Sequence, residues 1–401
     1  MATRLRVTLA LLLVAALLSV DARAQSGSGA QSTFLDPSIA ASGMGRAGAA
    51  VFWGDEPSDW ANPALLGSQR GLRFQYGRTR LVPDLADDVH FTSKRFLLGG
   101  YGLGLSIAGT PFGSIGDLRL DYGDSEVTDP DGNVIGVFSS FEEIHQFSVG
   151  LNVLEAFENG LRLLGKSGPD WSRYADLSIG HSWKSVEVDL FPALGSIGGV
   201  AARGETKERD RGLLVRVTPL DQTSESGGPR ETGLRFRLDG SVGFSQRNYG
   251  DDRIAYVDPS DSDPIVEERI LGYAGRLTME LPHDPGDWIW NFLSPTVSLG
   301  GTWETAKYYD DGENIGNEGS KRRGQEIVVA GIVAGRIGHE TWDDALIDGD
   351  TYGVSLMLQY RRMAGVRYDF ASVPQSVLLD DVDREGFTLF VDPCRLWREL
   401  R

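Results

Sequence analysis

The sequence has few of the residues that build covalent or metal-bound frameworks. Cys394 is the single cysteine among 401 residues, so no internal disulfide can form. The five histidines do not fall into a compact ligand spacing such as H-E-x-x-H, and no G-x-S-x-G nucleophile motif occurs. We therefore expect no cofactor and no metal, and a protein that is not an enzyme.

Basic residues are also scarce. The chain has 39 Lys and Arg against 57 Asp and Glu, which gives a formal net charge of -18. Nucleic-acid affinity depends on neutralising phosphates with Lys and Arg, so nucleic acid is excluded as a partner.

Long apolar runs are missing beyond the N-terminus. Residues 1–24 combine Arg4 and Arg6, an apolar run from Val7 to Val20 and an Ala-Arg-Ala site, which is typical of a cleaved signal peptide. A short N-terminal anchor is the alternative. No later segment has the roughly 18 consecutive apolar residues of a spanning helix. The exported chain is therefore expected to be either soluble or a membrane β-barrel.

Alternation of apolar and polar residues recurs throughout the rest of the chain. In "YGVSLMLQY", from Tyr352 to Tyr360, the large apolar residues share one face of a strand. Such a strand, tilted near 40°, rises about 20 Å, which is close to the apolar band of an outer-membrane barrel. Tyr352 and Tyr360 would then lie in the aromatic girdles at the two borders of that band.

Other segments place charged residues on the face opposite the apolar one. In "LRFRLDGSVGF", Arg235, Arg237 and Asp239 alternate with apolar residues, and Arg276 and Glu280 do so in a later strand. We predict that these five side chains line the lumen. A soluble two-sheet protein would show the same alternation and is the alternative.

The pattern predicts a single all-β domain, a transmembrane antiparallel β-barrel of about 14 strands. The long polar segments that start at Asp121, Asp251 and Tyr309 are predicted to be outer loops. The charged run "GETKERDR" from Gly204 is predicted to be a solvated loop. The predicted strands cover residues 71–81, 89–98, 101–109, 116–122, 146–153, 173–184, 213–218, 234–244, 271–281, 296–308, 325–337, 352–360, 364–371 and 386–392.

The stretch "GMGRAG", which begins at Gly43, matches the dinucleotide pattern G-x-G-x-x-G. A dinucleotide site also needs a preceding buried strand and an acidic residue about 20 positions later. Here Asp55, Glu56 and Asp59 come too early and no βαβ pattern follows. The glycines are therefore not predicted to bind a cofactor.

Three runs near the N-terminus carry a family resemblance. "SGMGRAG" from Ser42, "DEPSDW" from Asp55 and "ANPALLG" from Ala61 together resemble the N-terminal segment of FadL-like and PorV/PorQ-like outer-membrane barrels. The run "GDTYGVSLMLQYRRMAGVRYDFASVPQS" resembles the final strands of that family. The resemblance implies a 14-stranded barrel at 71–392, with residues 25–70 folded inside as a hatch. Residues 393–401 form a C-terminal tail, a departure from family members that end on an aromatic residue.

The glycines of the hatch, Gly43, Gly45 and Gly48, would allow tight turns and close approach, and Asn62-Pro63 would make a fixed turn. Alternatively, these residues only fill the interior. The aromatic residues Phe52, Trp53 and Trp60 are the candidate ligand path.

FadL-like members pass hydrophobic molecules inward through a kinked wall, and PorV-like members work with a secretion machine. We therefore expect a bacterial outer-membrane conduit for hydrophobic or amphipathic small molecules. Its partners would be membrane lipid, lipopolysaccharide and such a ligand. The alternative is a non-transporting barrel that docks secretion-system proteins, and a barrel enzyme is a weaker third. An apolar path to a break in the wall would favour the conduit. Salt bridges from Arg235 or Arg237 to Asp55 or Asp59 would favour docking.

Overall fold

The computed structural model describes most of the chain beyond the N-terminus. The described residues are 29–53, 58–82, 86–109, 118–129, 131–166, 168, 171–191, 202–223, 233–250, 253–256, 262–283, 288–310, 312–314, 319–342, 347–375 and 381–393. The predicted signal peptide 1–24, Asp55 and Cys394 lie outside the described residues.

The architecture is a closed antiparallel β-barrel. Of 18 strand segments, three short ones lie in loops and two are halves of one strand, which leaves fourteen barrel strands. These are β1 (Gly71–Arg80), β2 (His90–Gly100), β3 (Leu103–Ala108 and Leu118–Thr128), β4 (Val134–Asn152), β5 (Ala175–Phe191), β6 (Ala202–Asp221), β7 (Arg235–Arg247), β8 (Glu267–Glu280), β9 (Thr296–Asp310), β10 (Ser320–Val329), β11 (Val333–Trp342), β12 (Ile347–Tyr360), β13 (Ala364–Val373) and β14 (Val382–Val391).

Each strand pairs with its neighbours in sequence, and the last strand pairs with the first. The register of β1 and β14 runs from Leu72 opposite Val391 to Thr79 opposite Arg384. Closure leaves no free sheet edge, and the described strands pair their backbone groups within the wall except at an interruption of β3 between Ala108 and Leu118.

The two rims of the barrel differ. At the N-terminal rim, where β1 begins and β14 ends, tight turns use positive φ at Tyr101, Gly102 and Ala330. This rim also carries α1 (Val153–Leu163) and the 3-10 turns Trp171–Arg173 and Trp288–Asn291. The opposite rim, here called the loop rim, carries the described parts of the predicted loops from Asp251 and Tyr309, with short strands at Arg253–Ala255, Ser262–Pro264 and Glu313–Asn314. The prediction that a loop starts at Asp121 is wrong, because β3 continues to Thr128, beyond the apolar band.

Among the described residues, no helix has both the length and the apolar character needed to cross a membrane.

The strands present apolar side chains outward and polar side chains inward. On β12, Tyr352 and Tyr360 are 54% and 44% exposed at the two ends of an outward apolar row, whereas Ser355 and Gln359 are buried. Outward aromatic rings pair across strands; the Tyr273 and Trp303 rings, for example, stack at 5.8 Å. The predicted alternation is confirmed, and the assignment of Tyr352 and Tyr360 to aromatic girdles stays a prediction.

The predicted count of fourteen strands is confirmed, although two boundary errors offset each other. Segments 101–109 and 116–122 are the two halves of β3, because both pair with β2 and β4. Segment 325–337 is two strands, β10 and β11, which join at a tight turn where Ala330 and Gly331 have positive φ.

The prediction that "GETKERDR" forms a loop is wrong, because this run lies within β6. Its outward residues Glu205, Lys207 and Arg209 are exposed and alternate with buried Thr206 and Glu208. Where a strand extends beyond the apolar band of the wall, both of its faces are polar. The sequence of that part therefore does not show the alternation of apolar and polar residues that predicts a strand.

Residues 29–70, here called the N-terminal segment, pack against the inward face of the wall. The segment contains the helical turns Gln31–Phe34, Ile39–Ser42 and Pro63–Ser68, and its described residues are mostly buried. Thirteen of the fourteen strands present an inward glycine to this segment. These glycines are Gly77, Gly99, Gly104, Gly150, Gly180, Gly212, Gly243, Gly272, Gly300, Gly324, Gly338, Gly353 and Gly386.

Adjacent glycines on β9 provide a test of this packing. A β-carbon on inward Gly300 would lie 2.6 Å from the Trp53 ring, whereas one on outward Gly301 would have its nearest neighbour at 3.9 Å. We expect Gly300→Ala to lower the free energy of unfolding by about 1–3 kcal/mol through overpacking. The measurement is urea unfolding of the folded barrel, with protease cleavage of the N-terminal segment as a second readout. The matched control, Gly301→Ala, should leave both unchanged, and equal effects of the two variants would contradict the packing.

Candidate functional site

Buried ion pairs attach the N-terminal segment to the wall. Arg46 pairs with Glu340 of β11 and Asp59 pairs with Arg95 of β2, each at 2.6 Å. The Arg384 guanidinium of β14 donates to the carbonyl of Asp36 and to the Ser42 hydroxyl. These ion pairs and hydrogen bonds join the segment to β2, β11 and β14.

The glycine motif mediates close approach to the wall. Gly45 has φ +66°, and a β-carbon there would lie 2.6 Å from the carbonyl oxygen of His339. Its N–H donates to the Thr351 hydroxyl at 2.8 Å. A β-carbon on Gly43 would lie 2.8 Å from the Cα of Gly353, and one on Gly48 would meet Ser58 at 3.0 Å. The observed neighbours of these glycines are therefore atoms of the wall and of the segment itself.

Asn62 and Pro63 start a helical turn and fix it to the wall. The Asn62 side chain accepts from the N–H of Ala64 at 3.0 Å, and Pro63 occupies the first helical position, where its missing N–H costs nothing. The Asn62 amide also donates to the carbonyls of Ala49 at 2.7 Å and Leu213 at 3.2 Å. This residue thus joins two parts of the segment to β6.

Trp60 lies in an apolar cluster on the loop-rim half of the lumen. The ring is 1% exposed, with the Lys184 ammonium 4.2 Å and the Arg247 guanidinium 4.9 Å from its centre. The cluster includes Ala108 and Leu118, which flank the interruption of β3. Its other buried members are Ala30, Phe91, Leu120, Ile144, Val186, Val188, Ile254 and Ile265.

The interruption of β3 separates two stretches of regular pairing. Ala108 pairs with Arg95 of β2 and Gln146 of β4, and pairing resumes at Leu118. In the strand register, Lys94 is the one residue of β2 opposite the interruption, and His145 is the one residue of β4 opposite it. Residues 110–117 lie outside the described residues. Asp59 of the N-terminal segment therefore meets the wall at the border of this interruption, through Arg95.

Burial and charge act against each other at Asp59. Burial raises the pKa of the Asp59 carboxyl above its ordinary value, and the Arg95 guanidinium opposes this shift. The Asp59–Arg95 ion pair therefore stabilises the contact between the segment and the wall only while the carboxylate and the guanidinium are both charged.

A cavity of about 760 Å³ opens at the N-terminal rim, below the segment. It brings together two predicted path residues, Phe52 and Trp53, with four of the five predicted lumen residues. Arg235 is not among its lining residues but lies opposite Glu280 in the pairing of β7 and β8. The aromatic and charged lining consists of Phe52, Trp53, Trp290, Phe292, Arg216, Arg237, Asp239, Arg276, Glu280, His283, Arg361 and Arg362.

Contacts within the cavity hold its charged and aromatic groups in place. Arg237 donates to Asp239 at 2.8 Å and to Asp221 at 3.4 Å. The Arg216 guanidinium lies 5.3 Å from the Phe52 ring, which meets Trp53 edge-on at 5.0 Å. A second cavity of about 370 Å³ shares Trp53 with the first and lies beside β10 to β14. The three residues predicted to line a ligand path therefore lie in two places. Trp60 lies in the apolar cluster, whereas Phe52 and Trp53 face the arginine-lined cavity.

Two arrangements that would favour other functions are not formed by the described residues. Asp59 pairs with Arg95 rather than with Arg235 or Arg237, and Asp55 lies outside the described residues. His145 and Ser148 lie on opposite faces of β4, so they cannot form a catalytic pair.

No protein-family model matches the chain, and no curated protein matches its sequence. Several solved structures match it. The toluene transporter TbuX of Ralstonia pickettii is 12% identical, over 87% of this chain and 95% of that one, with a TM-score of 0.37. A FadL homologue of Pseudomonas aeruginosa is 11% identical, over 88% and 98%, with a TM-score of 0.37. CymD, a monoaromatic hydrocarbon channel, is 12% identical, over 87% and 96%, with a TM-score of 0.37. At these values the likeness supports no inference about what this chain carries.

The pair of Asp59 and Arg95 gives a second test. We expect Arg95→Gln to lower the free energy of unfolding by about 3 kcal/mol, because it leaves a buried carboxylate without its counter-charge. Adding Asp59→Asn should recover more than half of this loss. In Arg95→Gln alone, the loss should shrink as pH falls through the raised pKa of Asp59, since the protonated acid needs no counter-charge.

Urea unfolding over a pH series measures both effects. Arg70→Gln is the control, because the Arg70–Glu155 pair is exposed at the rim and should contribute less than about 1 kcal/mol. Simple additivity of the two substitutions would show that the Asp59–Arg95 pair does not couple the segment to the wall.

Proposed function

We propose that this chain is an outer-membrane barrel that acts as a diffusion conduit for amphipathic small molecules with an acidic group. The observation that carries the proposal is the cavity at the N-terminal rim, which combines aromatic rings with five arginines. An apolar body can pack on Phe52, Trp53 and Trp290, while guanidinium groups hold a carboxylate or sulfonate. Its volume of about 760 Å³ suits a small-molecule ligand.

The outer wall supports a location in the outer membrane. Its outward residues are large and apolar along a band on every strand, and outside the interruption of β3 the closed ladder pairs the backbone groups of the described strands. A signal peptide at residues 1–24 would bring the chain to that membrane. Membrane lipid and lipopolysaccharide are then its surroundings.

The N-terminal segment connects the two ends of the proposed route. Trp60 packs in the apolar cluster beside the interruption of β3, and Phe52 and Trp53, eight and seven residues earlier in the chain, line the cavity. An apolar body would be favoured at the first place, and an acidic group at the second. We propose that residues 25–70 are a hatch between these two places.

The docking alternative has less support. It predicts that Arg235 or Arg237 pairs with acids of the segment, yet Asp59 pairs with Arg95 of β2, and Arg237 pairs with acids of its own and the neighbouring strand. The large cavity would also have no role in a barrel that only docks proteins.

Uptake into proteoliposomes tests the conduit. The two probes are a naphthylmethyl sulfonate and a naphthylmethyl trimethylammonium, which share an apolar body, differ in the sign of charge and cross lipid slowly. We expect the sulfonate to enter at least about tenfold faster than the ammonium, because the arginines concentrate anions in the cavity. Arg276→Gln/Arg362→Gln should bring the two rates close together, and Phe52→Ala/Trp53→Ala should slow both probes.

Arg78→Gln/Arg80→Gln, on the outward face of β1, is the charge-matched control and should change neither rate. Rates equal to those of protein-free liposomes would show that the barrel is not a conduit for this class. Faster uptake of the ammonium would contradict the assignment of an acidic ligand.

A further inference from the structure

Helix α1, which connects β4 to β5 at the N-terminal rim, is amphipathic. Glu155, Glu158 and Arg162 share one face of the helix. Apolar residues in the helix and directly after it recur at the spacing of the opposite face, which we call the apolar face: Val153, Phe157, Leu161 and Leu164.

The polar face of α1 is the one that contacts the rest of the protein. The Glu158 carboxylate accepts from the N–H of Ser172 at 2.8 Å and from its hydroxyl at 2.6 Å. Glu155 pairs with Arg70, directly before β1, at 2.5 Å. On the apolar face, by contrast, Phe157 is 51% exposed and Leu164 is 73% exposed. A surface helix of a soluble protein buries its apolar side, so α1 is oriented the opposite way.

Both ends of α1 are fixed. The Asn152 side chain accepts from the N–H of Glu155 at 3.1 Å and so caps the first turn. That turn packs on the tight turn between β2 and β3, where a β-carbon on Gly102 would lie 2.8 Å from the backbone nitrogen of Ala156. At the other end Gly165 has φ +68°, and the N–H of Lys166 donates to the carbonyl of Leu161 at 2.9 Å. The exposed apolar face therefore belongs to a complete, capped helix.

Exposed aromatic rings extend the apolar face. The Phe157 ring stacks on the Trp171 ring, with 6.1 Å between their centres. Trp171 is 47% exposed, and Tyr174, which directly precedes β5, is 58% exposed. Trp and Tyr side chains combine an apolar body with a polar tip, and they are enriched where a membrane meets water.

The apolar band of the wall ends where α1 begins. The outward residue Leu151 of β4 lies opposite Leu103 of β3 and Ile179 of β5. Leu103 and Ile179 are 46% and 47% exposed, and α1 starts two residues after Leu151. The apolar face of α1 is therefore continuous with the outward apolar surface of the barrel.

We propose that α1 is an interfacial membrane helix, with its apolar face against the acyl chains of the leaflet at the N-terminal rim. A helix with one apolar and one charged face lies in the plane of a membrane interface in this way. A second copy of the chain could also cover an apolar face. Lipid is favoured because the face continues the outward band and carries Trp171 and Tyr174 at its border.

The lipid is assigned from the position of the rim. The three shortest connections between strands lie on this rim, after β2, β10 and β12. Outer-membrane barrels place their short turns on the periplasmic side, so the leaflet beside α1 would be the inner, phospholipid one. The inference rests on the membrane location in the proposed function and is independent of what the lumen carries.

Spin-label accessibility in phospholipid proteoliposomes tests the proposal, in a full-length Cys394→Ser background. Labels are placed on the apolar face at Leu164→Cys or Phe157→Cys, and on the polar face at Arg162→Cys. Collisions with oxygen, which partitions into lipid, are compared with collisions with a water-soluble nickel chelate. We expect the ratio of oxygen to nickel collisions to be several-fold higher at residues 164 and 157 than at residue 162.

Ile179→Cys, on the outward face of β5, is the control for insertion of the wall and should also give a high ratio. Nickel access at residues 164 and 157 with a high ratio at 179 would place α1 in water and overturn this inference alone. Protection of 164 and 157 from both reagents would also overturn it, because protein would then cover the face; spin–spin broadening would identify that protein as a second copy. Nickel access at residue 179 would contradict the membrane location and this inference with it.

Discussion

The structure depends on the close approach of the N-terminal segment to the wall. A fourteen-stranded barrel is wider than the eight-stranded barrels whose side chains fill their own interior, so it has space in which the N-terminal segment can pack. Glycines on thirteen strands let the backbone of this segment reach the wall directly. Where a side chain is present instead, it forms a buried ion pair or hydrogen bond, as Glu340 does with Arg46 and Thr351 with Gly45.

This packing determines where the functional surfaces lie. Trp60 is held among apolar side chains next to the interruption of β3, and Phe52 and Trp53 are held above the arginine-lined cavity. An apolar cluster therefore lies on one side of the segment, and a cavity that five arginines help to line lies on the other. The proposed amphipathic ligand would place its apolar body against the cluster and its acidic group near the arginines.

Strand alternation predicted most of the strands, since the period of two is visible wherever one face is apolar; the choice of a barrel over a soluble two-sheet protein also needed the predicted signal peptide and the family resemblance. It failed in the part of β6 where both faces are polar, and at Ala330, where a three-residue turn leaves no polar gap between β10 and β11. Arg237, Asp239, Arg276 and Glu280 were predicted to face the lumen because they alternate with apolar residues. Their meeting in one cavity, and the contributions of Arg361 and Arg362 from a turn, depend on long-range pairing that the local pattern does not contain.

The central claim is that the N-terminal segment is seated against the wall in the folded barrel. Hydrogen exchange of its backbone amides in the membrane-embedded protein tests this most directly. The amides of Gly45, Ala49 and Ala64, which donate to Thr351, Glu304 and Asn62, should exchange as slowly as those of the neighbouring strands. Exchange at the rate of the surface loops, with the strands still protected, would show that the segment is not seated and would contradict the account.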